Sequence, residues 1–130
     1  MTLEYVPTVC PYCGCGCGLY LEVSDGELVG TMPCKTDPVS RGELCIKGWN
    51  VHEFVTSDER LSNPLMKRDG QFVEATWDKA LQATADTLKK ICNESGPDSI
   101  AFLSSAKCTN EENYLLQKLA RAVVGTNNID

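Results

Sequence analysis

The chain has 130 residues, 42 % of them hydrophobic, enough for one ordinary domain or for a small domain and the start of another. Eighteen acidic against twelve basic residues leave a net charge of −6, which repels phosphate backbones, and no basic patch with interleaved aromatics offsets it, so no nucleic acid partner is expected. No run of 18 apolar residues, no leader pattern and no twin arginine is present, which predicts a cytoplasmic protein without a membrane span, in a reducing compartment where eight cysteines point to metal before disulfides.

The first stretch with chemistry in it is Cys10-Pro11-Tyr12-Cys13-Gly14-Cys15-Gly16-Cys17-Gly18, answered later by Cys45 in Gly42-Glu43-Leu44-Cys45-Ile46-Lys47-Gly48. Three closely spaced thiols and one distant thiol suit a cubane iron–sulfur cluster, in which each of four irons takes one thiolate. The intervening glycines let the backbone approach the sulfides and aim amide N–H groups at a negatively charged cluster. The C-x2-C-x3-C spacing favours Cys10, Cys13, Cys17 and Cys45 as ligands and leaves Cys15 a bystander, because C-x-C ligand pairs are less usual. A structural zinc site of Cys10, Cys13, Cys34 and Cys45 and a disulfide framework remain alternatives.

Residues 19–32 alternate as a hairpin, with Leu19, Leu21 and Val23 on one face, Leu28, Gly30 and Met32 in the second strand and Asp25-Gly26 as a type I′ turn. Pro33 to Gly42 reads as a loop that carries Cys45 back, and Ile46 to Thr56 as a short amphipathic helix covering the cluster with apolar surface. Lys47, two residues past Cys45, is placed to bring an ammonium beside the cluster. His52, the single histidine, has no partner at ligand spacing and reads as structural, and Cys92 reads as a small hydrophobe.

From Glu59 the pattern changes. A second, smaller hairpin turns at Asp69-Gly70; Thr76 caps a helix with Asp78 in its first turn and Trp77, Leu81, Ala85 or Thr84, Leu88 and Ile91 on one face; Gly96-Pro97 stops it. Ser99 to Ser104 reads as a buried parallel strand. A Thr109 to Glu112 capping box opens a last helix with Leu115, Leu116, Leu119, Ala122 and Val123 as its apolar face, closed by Gly125 with no strand after it. The fold class is therefore α+β: residues 1–58 form a small cluster-binding domain with β-hairpins, and residues 59–130 begin an α/β layer. Ser105 and Asn110, between strand and helix, sit where such sheets bind cofactors. No catalytic Ser/His/Asp set or phosphate loop is present.

The cysteine stretch and Gly-x-Leu-Cys-x-Lys-Gly resemble the start of the molybdenum or tungsten bis-pterin oxidoreductases of the DMSO reductase superfamily, most closely formate dehydrogenase catalytic subunits. The resemblance recurs in Arg60-Leu61 to Pro64-Leu65, Trp77-Asp78-Lys79-Ala80-Leu81, Gly96-Pro97-Asp98, and Asn110-Glu111-Glu112 to Gly125-Thr126-Asn127-Asn128. It implies oxidation of formate to CO2 or the reverse, and a [4Fe-4S] cluster next to a molybdenum or tungsten bis-pterin guanine dinucleotide. It also implies that Lys47 passes electrons between cluster and pterin, and that the partners are the remaining portion of the catalytic subunit and iron–sulfur or flavin electron-transfer subunits. The chain alone is expected to be inactive. An assimilatory nitrate reductase of the same superfamily and a stand-alone ferredoxin-like electron carrier are the alternatives; the Asn110 to Lys118 pattern speaks for formate, and the α/β second half against a ferredoxin.

Overall fold

The computed structural model describes residues 2–130, which fall into two compact units. One contains the chain up to Arg60 together with Ser105–Asn113; the other contains Leu61–Ser104 and Tyr114–Asp130.

The first unit is built on an antiparallel sheet of β1 (Leu3–Val9), β2 (Gly18–Ser24) and β3 (Glu27–Pro33), in that spatial order. The residues before Cys10, silent in the sequence reading, form the edge strand β1, where Pro7 is tolerated because an edge has one free side. Pairing runs from Leu3 opposite Ser24 to Val9 opposite Gly18, so the cysteine stretch is the loop of a β-hairpin. Cys10 N–H donates to Cys17 O at 2.9 Å and closes its mouth.

Asp25 and Gly26, with φ of 50° and 89°, make the expected tight turn between β2 and β3. The expected facing of β3 needs correction. A bulge beside Glu22 and Val23 puts Val23 opposite Leu28 and Glu22 opposite Gly30, so one residue of β3 is skipped and the alternation reverses. Thr31 is turned inward and Met32 outward, the opposite of simple period-two reading. Leu19 packs with Cys10 and Val51 in the core, flanked by Tyr12, Cys17, Leu21 and Leu44.

The segment from Cys34 to Leu44 is the expected loop, held by one carboxylate. Asp37 Oδ2 accepts the N–H groups of Val39 and Ser40 and the Ser40 hydroxyl, at 3.2, 2.6 and 2.9 Å. The helix expected over 46–56 is a single turn, α1 (Ile46–Trp49), followed by successive turns; Gly48 and the β-branched Val51 are poor helix formers and the stretch is too short to propagate.

The second unit has the hairpin β4 (Leu65–Arg68) and β5 (Gln71–Glu74), turning at Asp69-Gly70, and helix α2 (Trp77–Ser95). Thr76 accepts the Lys79 N–H as the cap, and Gly96 at φ 82° ends the helix, as expected. The C-terminal half of the expected face holds, with Ala85, Leu88, Ile91 and Cys92 half-buried, but its first turns do not: Trp77 and Leu81 are mostly exposed, and Ala80 and Ala83 take the half-buried positions there.

Helix α3 (Asn110–Lys118) passes into a π-helical stretch, Leu119–Val124, where Gly125 N–H reaches back five residues to Ala120 O. That widened turn moves the buried stripe to Leu116, Ala120 and Val124, and Leu115 and Val123 face solvent. The chain beyond Gly125 is not strandless either. Ile129 bridges Phe102 in parallel, with Phe102 N–H donating to Asn128 O at 2.8 Å and Asp130 N–H to Phe102 O at 3.2 Å. Residues 100–104 thus behave as a strand open on one side, with Ile100 buried and Leu103 exposed, and not as a continuously buried one. Among the described residues no helix is long and apolar enough to cross a membrane.

Candidate metal centre

Five thiols belong to the first unit's cysteine loop and its return. Cys10 is buried in the core, Cys13 and Cys17 are half-buried, and Cys15 and Cys45 are exposed; all eight cysteines of the described residues are free. Burial pushes the Cys17 thiol up to about 11, helped by its hydrogen bond with Cys15 and by the charges that Cys15, Cys10 and Cys13 would carry as thiolates.

Cys45 behaves oppositely. The backbone N–H groups of Gly48 and Lys47, with the Lys47 ammonium, hold its thiol below the ordinary value of 9.0 and favour the thiolate. Lys47 feels both Cys45 and Cys13, which places the returning cysteine beside the loop. Such a set, a returning cysteine that favours the thiolate beside a hairpin loop of four free thiols, fits an iron–sulfur cluster by its donor chemistry. Cys34, the remaining thiol of the zinc alternative, points to the Tyr20 hydroxyl at 3.5 Å and the Thr36 hydroxyl at 3.4 Å.

Lys47 Nζ lies 5.6 Å from the centroid of Tyr12, whose ring meets Phe54 edge to face at 6.1 Å, and the Arg60 guanidinium lies over the Phe54 ring at 5.3 Å. Tyr12, Lys47 and Phe54 line a cleft of about 490 Å³ with Ile46, Asn50 and Glu53. The apolar cover expected from residues 46–56 is thus supplied by Val51 and Phe54, not by a helix face. His52 Nδ1 is 3.0 Å from the Thr31 hydroxyl and so braces the sheet.

The segment Ser105–Asn113 adds residues that spacing gave no means to find. Lys107 lies against Lys47 and lowers its pKa; a lone lysine 60 positions away carries no sequence signature. The Ser105 hydroxyl accepts the Lys107 N–H at 3.0 Å and shapes the turn presenting that lysine. Asn110 donates from Nδ2 to Gly14 O at 3.0 Å, inside the cysteine loop.

Comparison with known proteins decides what this geometry belongs to. Residues 3–57 match the family model described as the molybdopterin oxidoreductase Fe4S4 domain, and residues 60–130 match that described as molybdopterin oxidoreductase. The chain belongs to the molybdopterin oxidoreductase family. Among its relatives, the F420-dependent formate dehydrogenase 1 subunit alpha of Methanococcus maripaludis is 51 % identical over 130 residues, all of this chain and 19 % of that one. The F420-dependent formate dehydrogenase subunit alpha of Methanocaldococcus jannaschii is 50 % identical with the same coverage. A putative formate dehydrogenase of Staphylococcus aureus is 45 % identical over 128 residues, 98 % of this chain and 13 % of it. This molybdopterin oxidoreductase chain therefore spans about a fifth or less of the length of these relatives. Acetylene hydratase from Pelobacter acetylenicus shares its fold at a TM-score of 0.77 and 25 % identity, over 95 % of this chain and 18 % of that one. The α+β class expected from the sequence holds, and the four-iron cluster and molybdopterin are the cofactors to which the family models refer.

Proposed function

We propose that the chain is the iron–sulfur portion of a molybdenum- or tungsten-dependent formate dehydrogenase catalytic unit, interconverting formate and CO2. Residues 1–58 act as the cluster-binding domain and residues 59–130 as the beginning of the domain for a bis-pterin guanine dinucleotide. The observation that carries this is the return of Cys45, with Lys47, to a hairpin loop holding Cys10, Cys13 and Cys17, in a sequence about half identical to formate dehydrogenase alpha subunits.

A four-iron cluster, when bound, takes up and releases single electrons. Cys10, Cys13, Cys17 and Cys45 hold it as thiolates. The core around Cys10 and Leu19 keeps water from one side, which tunes its potential. Lys47 puts a positive charge near Cys13 and Cys45 and so favours the reduced, more negative state, on the path between cluster and pterin. Ser105 and Asn110, on the segment that presents Lys107, mark the pterin side. The setting is cytoplasmic, and the partners are the remaining portion of the catalytic subunit and iron–sulfur or flavin subunits.

Anaerobically purified chain should carry about four irons and four sulfides. Zinc in their place would overturn the assignment. For the substrate, the chain assembled with the remaining catalytic portion should reduce an artificial dye, or F420, only when formate is added; nitrate-driven oxidation of reduced dye in its stead would overturn formate.

A further inference from the structure

Asn110 stands 96 positions from Gly14 and yet donates its side-chain amide to the Gly14 carbonyl at 3.0 Å. Both ends of this bond are prepared for it. Asn110 is the first residue of α3, and its backbone is set by a complete capping box: Glu112 Oε2 accepts the Thr109 N–H at 2.7 Å and the Thr109 hydroxyl at 2.9 Å, and Thr109 Oγ1 accepts the Glu112 N–H at 3.2 Å. At the other end Gly14 has no side chain to hold the amide off. A Cβ there would lie 2.5 Å from Asn110 Oδ1 and 3.2 Å from its Cγ, so any other residue displaces the asparagine.

The loop needs such a tie. The bond from Cys10 to Cys17 closes its mouth, but between them Gly14 and Gly16, the latter at φ 68°, have no Cβ to restrict the backbone. In a trans peptide the C=O and N–H point opposite ways, so fixing the Gly14 carbonyl also fixes the Cys15 N–H on the far side of the same plane. We propose that Asn110 is a positioning residue that clamps the Gly14–Cys15 peptide so that the Cys15 N–H is presented to the cluster held by the loop. This rests on the cluster assignment above. It makes Cys15 important through its backbone, whatever its thiol does, and gives the segment after residue 104 a share in setting the cluster's potential.

The test compares the anaerobically purified wild type with Asn110→Ala, Gly14→Ala and the double variant, reading iron content, the rate of iron loss to a chelator, and the midpoint potential from a redox titration followed by electron paramagnetic resonance. Wild type and Asn110→Ala should both load the cluster, and the variant should release iron about two- to fivefold faster, the range of one modest hydrogen bond. Its potential should move to more negative values, because an N–H aimed at the sulfurs stabilises the reduced state. Gly14→Ala should do the same, and the double variant should go no further than the larger single one. An Asn110→Ala protein with the potential and iron release of wild type overturns the clamp, as do effects that simply add in the double variant. If Asn110→Ala does not fold, Gly14→Ala, which displaces the Asn110 side chain but leaves Thr109 and Glu112 to form the capping box, decides alone. Wild-type chain that binds no iron overturns the cluster assignment itself and the clamp with it.

Discussion

Cys15 and Cys17 differ by two positions and in burial: Cys17 is half-buried beside the core residues, whereas Cys15 is exposed and hydrogen-bonded to Cys17. Exposure alone does not set the ligands, since Cys45 is exposed too; the C-x2-C-x3-C spacing with a distant fourth thiol does. Replacing Cys10, Cys13, Cys17 or Cys45 by Ser should abolish the four-iron cluster, while Cys15→Ser should keep most of its iron; iron and sulfide analysis of the five variants checks this. Lys47→Ala should still assemble the cluster and should shift its midpoint potential to more negative values or slow electron passage from the pterin centre, since a cation near Cys13 and Cys45 is removed. Unchanged potential and turnover would return Lys47 to an ordinary surface lysine. That the first half belongs to an iron–sulfur domain was legible because three close thiols and one distant thiol are a local pattern. Lys107 and the partner of Asn110 were not, because contacts 60 and 96 positions apart depend on tertiary structure alone.

At the scale of elements, the loop that returns Cys45 hangs on Asp37. The Ser40 backbone N–H and hydroxyl, with lesser help from Gly18 and Val39 N–H groups, hold its carboxyl below the ordinary 3.8. A depressed folded value means that the stabilisation is fully present above the unfolded value and is lost as pH falls through the folded one. Asp37→Asn should thus be less stable than wild type at neutral pH and should converge with it in acid below about pH 4, in thermal melts followed by circular dichroism from pH 7 to 3. Gly18→Ala should disturb the same loop, because its Cβ would lie 2.6 Å from Asp37 Oδ1. The two Asp-Gly hairpins could be read in advance because the turn demands residues that accept positive φ. The bulge in β3 and the π-helical turn after Lys118 could not: each shifts by one residue which side chains are buried, and neither has a marker in local composition.

At the scale of the whole molecule, a chain with a fifth of the length of the formate dehydrogenase alpha subunits it resembles carries no acid, base or nucleophile set of its own that the sequence reveals. Formate-dependent dye reduction should accordingly be absent from the purified 130-residue chain and appear on assembly with the remaining catalytic portion; activity of the chain alone would refute this. The two family models divide the chain between residues 57 and 60, but the compact unit around the cysteines also takes in Ser105–Asn113. The cysteine-bearing stretch is therefore complete as sequence well before it is complete as structure. On a translating ribosome Asn110 is made 50 residues after Arg60, a delay of about 3–10 s at ordinary elongation rates. Throughout that interval the nascent cysteine loop has all its thiols but not the amide that holds Gly14. Cluster insertion is therefore best deferred until the polypeptide has grown past α3.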